Sequence, residues 1–106
     1  MLNYRMLAPR AKYKRTVNSN RWKLLRHRIF KRSDGKCEFC GEEAETVHHR
    51  TYQNVEHELD EDLVALCKRC HDFVHRLQKL TGWTVEYATD RARLIRSKNT
   101  NGQPED

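Results

Sequence analysis

The sequence has no hydrophobic run that approaches the roughly 18 residues needed to cross a bilayer as a helix. Its first fifteen residues, MLNYRMLAPRAKYKR, also lack the apolar stretch of a secretory signal peptide. We therefore expect a soluble protein of the reducing cytoplasm. No internal repeat is visible, and 106 residues are enough for one domain.

Hydrophobic residues are scarce throughout the chain. Only 37% of the residues are hydrophobic, whereas 34% are charged. A chain of this size and composition buries limited apolar surface, so its core alone provides limited stability. We therefore expect a metal or disulfide bonds to hold the fold together.

The few cysteines are arranged as two CxxC pairs with 26 residues between them. They are Cys37, Cys40, Cys67 and Cys70. Zinc takes four tetrahedral thiolate or imidazole ligands, and two such pairs that meet in space supply them. The pattern therefore predicts one structural zinc on all four cysteines.

Other arrangements of the cysteines stay open. A disulfide pair or a redox-active CxxC is possible in principle, although a redox motif rarely occurs twice at this spacing in so short a chain. A second zinc ligand set combines Cys37 and Cys40 with His48 and His49, and it leaves the second cysteine pair without a role. A protein-interaction domain of the RING sort needs eight metal ligands in an interleaved order, which the chain does not show.

Acidic residues are almost absent from the first third of the chain. Residues 1–36 contain twelve Lys and Arg but one acid, Asp34, and the whole chain has a net charge of +6. Such asymmetry is typical of proteins that bind a phosphate backbone, although a solubilising charged face is the alternative. The side chains predicted to contact nucleic acid are Arg21, Lys23, Arg26, Arg28, Lys31, Arg32 and Arg50.

The N-terminal part is predicted to be a basic arm followed by a helix. Residues 1–18 form the arm, because Pro9 interrupts any continuous helix. Ser19 or Asn20 can cap a helix that runs to about Arg32. The apolar residues Trp22, Leu25 and Ile29 share one face of this helix.

Two short strands are predicted at residues 45–47 and 63–66, with a polar loop between them. A helix with an apolar stripe that extends to Leu80 begins near Lys68 and ends at Gly82. The chain is therefore predicted to be of the α+β class.

The alternating pattern of residues 83–87 predicts a further strand. We expect residues 19–88 to form the domain and residues 89–106 to form a C-terminal helix with a frayed tail.

Four of the six histidines lie close to the cysteines in the sequence. His48 and His49 are adjacent, whereas His71 and His75 lie four residues apart on a predicted helix. The latter spacing places both rings on one helix face, where they can bind a single ion, and an exposed polar face is the alternative. Adjacent side chains leave an extended strand in different directions, so the two rings of the doublet need not have the same role.

The combined motifs resemble the HNH endonuclease family, which has a ββα-metal fold. They are CEFC (37–40), VHHRTY (47–52), DEDLVALCKRCH (60–71) and FVH (73–75). The resemblance covers residues 37–75, with weaker agreement in the preceding helix. It implies a small zinc-stapled ββα-metal unit preceded by a basic helix.

The resemblance also implies individual roles. His49 matches the general base that deprotonates the attacking water, and His48, His71 and His75 match the ligands of one catalytic divalent metal. Asp62 is a further candidate catalytic residue at the position of the family's asparagine, and it is a departure from the motif. An ionised aspartate accepts hydrogen bonds but cannot donate them.

The implied activity is metal-dependent hydrolysis of DNA phosphodiester bonds. A histidine suits proton abstraction near neutral pH, and a metal stabilises the scissile phosphate and the leaving 3′-oxygen. Imidazole ligands favour Zn²⁺ or Ni²⁺, and the resemblance also permits Mn²⁺ or Mg²⁺. Phosphate contacts do not read sequence, so we expect weak sequence preference.

The sequence leaves open two alternatives to an active nuclease. One is a zinc-containing module that binds nucleic acid without catalysis, and the other is an HNH fold that has lost its activity. The resemblance makes a phage origin and a larger protein partner plausible. The sequence leaves open whether the protein is a monomer or a dimer.

Overall fold

The computed structural model describes residue 11, residues 14–15 and residues 17–101, with side chains described as far as residue 97. Most of the predicted arm and the tail beyond residue 101 lie outside these residues. The described elements are α1 (Asn20–Arg32), β1 (Thr46–His49), a short 3-10 helix (Asp60–Asp62), β2 (Leu63–Leu66), α2 (Lys68–Thr81) and α3 (Val85–Asn101). This is a small α+β fold, as predicted. Among the described helices, none has both the length and the apolar character that a membrane crossing requires.

Helix α1 begins and ends as its sequence predicts. The side chain of Ser19 caps it, because the Oγ accepts a hydrogen bond from the Trp22 amide at 3.0 Å. Lys31 and Arg32 occupy the last turn, where positive charge interacts favourably with the helix dipole. The predicted apolar face is confirmed, since Trp22, Leu25 and Ile29 are its buried residues.

Strands β1 and β2 pair antiparallel, and the register places His48 opposite Val64 and His49 opposite Leu63. Because side chains alternate along a strand, the two-stranded sheet separates two hydrophobic clusters. Val47, Leu63 and Ala65 pack with the apolar face of α1. Val64 and Leu66 pack with α2, α3 and the cysteines on the other side.

Helix α2 begins directly at the second cysteine pair. Cys67 is its N-cap residue, and the left-handed Gly82 (φ 78°) ends it as predicted. Val74 is completely buried, but Leu80 is 75% exposed. The predicted apolar stripe therefore stops short of Leu80, whose side chain faces solvent.

The strand predicted at residues 83–87 is wrong. This stretch leads into α3, whose start is capped by Thr84, since its Oγ1 accepts from the Tyr87 amide at 3.1 Å. Ala88 and Ala92, one helical turn apart, are completely buried and let α3 pack closely against α2. The predicted boundary between residues 88 and 89 therefore falls inside one continuous helix.

Candidate metal centres

The first cysteine pair lies on a tight turn. Gly41 has a left-handed backbone (φ 85°), and its amide donates to the Cys37 carbonyl at 2.9 Å. The Cys37 amide in turn donates to the Glu42 carbonyl at 2.6 Å. The second pair is held by the first turn of α2, where the Cys70 amide donates to the Cys67 sulfur at 3.4 Å.

The four cysteine sulfurs form one cluster and lie within 4.8 Å of one another. The Sγ atoms of Cys40 and Cys67 are 3.7 Å apart, too far for a disulfide bond of about 2.05 Å. Adjacent sulfurs of a tetrahedral site with zinc–sulfur bonds of about 2.3 Å lie about 3.8 Å apart. The four-cysteine cluster therefore fits a structural zinc.

The surroundings of the four-cysteine cluster shift the pKa values of its thiols in different directions, since burial raises the pKa of Cys40 and of Cys70. Burial acts to raise the pKa of the Cys37 thiol, but backbone amides of Cys40, Cys67 and Phe39 donate toward it and hold its pKa below the usual value. The Nε of Arg96, on α3, donates to the Cys70 sulfur at 3.2 Å. A guanidinium at this distance offsets part of the negative charge of four thiolates.

A second cluster consists of three histidines. Each of the residues His48, His71 and His75 offers one ring nitrogen, and these three nitrogens lie within 4.8 Å of one another. The Nε2 atoms of His71 and His75 are 3.1 Å apart, close to the spacing of about 3.3 Å between adjacent nitrogens around tetrahedral zinc. The mixed set of Cys37 and Cys40 with two histidines is therefore wrong, because His48 belongs to this separate histidine cluster.

The histidine cluster joins β1 to the first two turns of α2. His48 lies on the side of the sheet that faces α2 and α3, and its ring centroid is 5.2 Å from that of His71 and 5.7 Å from that of His75. Exposure increases across the cluster, from buried His48 through partly buried His71 to exposed His75. The cluster therefore opens to solvent on the side of His75.

Burial favours the neutral form of two of these rings, His48 and His71. Burial, together with the neighbouring histidines, lowers the pKa of His48 from 6.5 to about 3. Burial and His75 also lower the pKa of His71. Neutral imidazole is the form that binds metals, so the chemistry of the donor set fits a divalent cation.

His49 lies on the opposite side of the sheet from His48. Its ring stacks between Trp22, at a centroid distance of 5.1 Å, and Tyr52, at 5.5 Å. Its Nε2 lies 2.8 Å from the Oε2 of Glu58. The side chains of His49 and Glu58 are only 2% and 1% exposed, so they form a closed pair.

Glu58 is the partner that sequence reasoning missed. Its second oxygen accepts a hydrogen bond from the Arg21 guanidinium. Burial acts to raise the pKa of Glu58, but the hydrogen bonds from His49 and Arg21 lower it overall, so the carboxylate is ionised at neutral pH. Glu58 lies in a polar loop without periodicity, and nothing in the local sequence distinguishes it from the other acids there.

Asp62 holds the loop between the strands rather than joining either metal-ligand cluster. Its Oδ2 accepts hydrogen bonds from the Asn54 side chain and the Leu59 amide, both at 2.9 Å. Its carbonyl accepts from the Arg50 amide at 2.7 Å. Neither metal-ligand cluster includes it, so the structure does not make this predicted catalytic residue a metal ligand.

Four of the seven basic residues predicted to contact nucleic acid have carboxylate partners within the chain. Arg21 pairs with Glu58, Arg28 with Asp60, Arg32 with Glu38, and Arg50 with Asp90 and Glu86. Lys23, Arg26 and Lys31 are exposed on α1. The positive charge offered to an external phosphate is therefore smaller than the sequence count indicates.

No protein-family model matches the sequence, and no curated protein matches it either.

Proposed function

We propose that this protein is a metal-dependent endonuclease of the HNH type that hydrolyses phosphodiester bonds of DNA. The observation that carries the proposal is the cluster of three histidines, beside a closed cluster of four cysteines. Structural zinc sites have four protein ligands, whereas catalytic sites have three and keep one position for water or substrate. The order and spacing of the HNH-like motifs support the nuclease activity in particular.

In this proposal, His48, His71 and His75 hold one divalent cation, with Zn²⁺, Ni²⁺, Mn²⁺ or Mg²⁺ as candidates. Such a cation acts as a Lewis acid that stabilises negative charge on a phosphoryl oxygen and on the leaving 3′-oxygen. The exposed position of His75 gives a phosphate access to the cluster from solvent. The cysteine cluster fixes the start of α2 and with it the position of His71.

His49 is the proposed general base. Because the ionised Glu58 accepts the hydrogen bond from Nε2, Nδ1 is the ring nitrogen that takes the proton of water in this role. The ring is buried beneath Tyr52, which is itself 40% exposed. The proposed role therefore requires Tyr52 to move off the ring when water and DNA enter.

The exposed cations of α1 provide the proposed phosphate contacts. Lys23, Arg26 and Lys31 lie on the solvent side of the helix, away from its buried apolar face. Contacts of this kind position a duplex without reading its bases, and their strength falls as salt rises. We therefore propose weak sequence preference and salt-sensitive binding.

A second candidate function is nucleic-acid binding without cleavage. The burial of His49 against Glu58 favours it, because an inaccessible imidazole–carboxylate pair can serve packing alone. In that case the histidine cluster binds a metal that supports structure, and the fold resembles an inactive HNH nuclease.

Plasmid cleavage separates the two functions. The protein, with zinc bound to its cysteines, is incubated with supercoiled plasmid first without added metal and then with Mg²⁺, Mn²⁺, Ni²⁺ or Zn²⁺. We expect metal-dependent nicking that falls by about 100-fold or more in His49→Ala, a loss typical of general bases. His57→Ala is the matched control, because His57 is an exposed histidine of the adjacent loop.

Two further measurements make the result decisive. Zinc content and DNA binding, the latter followed by fluorescence anisotropy, must be the same in His49→Ala and the unmodified protein. Glu58→Gln is expected to reduce cleavage while metal binding persists, because the neutral amide holds the ring less strongly. Salt-sensitive DNA binding without cleavage under any metal would instead establish the binding module.

A further inference from the structure

The histidine cluster has a neighbour on α3 that the sequence motifs do not include. The Oγ1 of Thr89 lies 2.9 Å from the Nε2 of His48. Thr89 is 0% exposed and His48 is 3% exposed, so no solvent competes for this contact. The two residues are 41 positions apart in the chain, and only the packing of α3 against the sheet brings them together.

The direction of this hydrogen bond follows from counting protons. The Thr89 hydroxyl donates to the Val85 carbonyl at 2.6 Å. A hydroxyl has one proton, and a carbonyl oxygen has none to offer. The Thr89 oxygen must therefore accept from His48, and the proton of the neutral His48 ring resides on Nε2.

We propose that Thr89 is a positioning residue that selects Nδ1 of His48 as its metal-binding nitrogen. With Nε2 protonated and directed at Thr89, the lone pair of the ring is on Nδ1. His71 and His75 differ, because their Nε2 atoms face each other at 3.1 Å within the same cluster. The histidine site thus binds its cation through one Nδ1 and two Nε2 atoms.

The inference rests on the histidine metal site of the proposed function, but it does not depend on DNA cleavage. Ligating histidines commonly donate their second N–H to a fixed acceptor, which sets the tautomer and the ring orientation. Thr89 is such an acceptor, and it makes α3 a part of the metal site. The same helix also contacts the four-cysteine cluster through Arg96.

Nitrogen assignment by NMR tests the inference on the unmodified chain. Protein labelled with ¹⁵N at histidine, with one zinc on its cysteines, is titrated with a second equivalent of zinc. We expect the long-range ¹H–¹⁵N spectrum to show zinc on Nδ1 of His48 and a proton on its Nε2. His71 and His75 should show the opposite pattern, and zinc on Nε2 of His48 would overturn the proposal.

Metal affinity tests the contribution of the Thr89 hydroxyl. Competition with a chromophoric chelator should show about 10- to 100-fold weaker binding of the second zinc by Thr89→Val, the usual effect of losing such a partner. Thr89→Ser, which keeps the hydroxyl, should bind as the unmodified protein does. Thr51→Val is the matched control, because Thr51 is also a buried threonine whose hydroxyl accepts a hydrogen bond.

The outcomes separate this inference from the nuclease proposal. Equal affinity of Thr89→Val and the unmodified protein, both folded by circular dichroism, contradicts the positioning role. If Thr89→Val does not fold, the nitrogen assignment in the unmodified chain decides. If zinc binds through the expected nitrogens but the protein never cleaves DNA, only the nuclease proposal is refuted. If the protein binds no second metal, both proposals are refuted.

Discussion

Two adjacent histidines of β1 occupy opposite sides of a two-stranded sheet. His48 faces the helices α2 and α3 and belongs to the metal-ligand cluster, whereas His49 faces α1 and pairs with Glu58. A strand rotates successive side chains to opposite faces, so neighbouring residues of the same type enter different environments. The different roles proposed for the two rings follow from this alternation of side chains along β1.

The burial of His48 leads to a pH-dependent stability. Its pKa is lowered to about 3 in the folded protein, from 6.5 for an unperturbed ring. Between these two values the unfolded chain binds the extra proton, so acidification destabilises the fold. With zinc on the cysteines only, we expect His48 to lower the free energy of unfolding by about 1.4 kcal/mol between pH 7.5 and 5.5.

Urea denaturation at several pH values measures this effect. His48→Gln removes the titrating ring. Between pH 7.5 and 5.5, the free energy of unfolding of this variant should therefore fall by about 1.4 kcal/mol less than that of the unmodified protein. Zinc content is measured at each pH, because loss of the cysteine-bound zinc would add its own pH dependence. Parallel pH profiles for the two proteins would contradict the burial of a neutral His48.

At the scale of elements, the connection from β1 to β2 is held by one side-chain oxygen. The Oδ2 of Asp62 accepts from both the Asn54 side chain and the Leu59 amide. An asparagine oxygen can accept the same two bonds, since it also has two lone pairs. Aspartate and asparagine can therefore hold this loop in the same way.

Substitutions at Asp62 test this account of the loop. Asp62→Ala leaves two donors without an acceptor and is expected to lower the free energy of unfolding by about 1–3 kcal/mol. Asp62→Asn keeps the acceptor and is expected to change stability by less than about 1 kcal/mol. Chemical denaturation measures both, and an equal loss in the two variants would show that the negative charge, rather than the acceptor oxygen, is required.

At the scale of the whole molecule, two small hydrophobic clusters and the four-cysteine cluster hold the fold. The cysteines lie within one of these clusters, where they pack with Phe39 and Val74. Structural zinc contributes about 10–16 kcal/mol to small domains. That contribution is comparable to the total stability of about 5–15 kcal/mol of an ordinary protein.

We therefore predict that the four cysteines bind one zinc and that its removal unfolds the protein. We expect the cooperative thermal transition and most of the helical circular dichroism to disappear when a strong chelator is added under reducing conditions. One equivalent of zinc should restore both, and Cys67→Ser should resist restoration. A metal-free chain with an unchanged transition would show that the hydrophobic clusters suffice.

Much of the architecture was predictable from local patterns. The helix that buries Trp22, the two strands and the helix that ends at Gly82 follow from periodicity and capping residues. The strand predicted at residues 83–87 failed because the alternation extends over only five residues, and a first helical turn capped by Thr84 is compatible with the same pattern. The exposure of Leu80 was missed because periodicity does not show where a neighbouring element ends.

The sequence by itself determined which residues are candidates for metal binding. Cysteines at CxxC spacing and histidines four apart on a helix are local signals, because their geometry depends on a few residues of backbone. The tertiary structure decided which groups surround these ligands. Thr89 contacts His48 although the two residues are 41 positions apart. Glu58 contacts His49 from an irregular loop. Four of the arginines predicted to bind DNA form salt bridges within the chain. Contacts between groups so far apart arise from how elements pack, and no local pattern of residues encodes them.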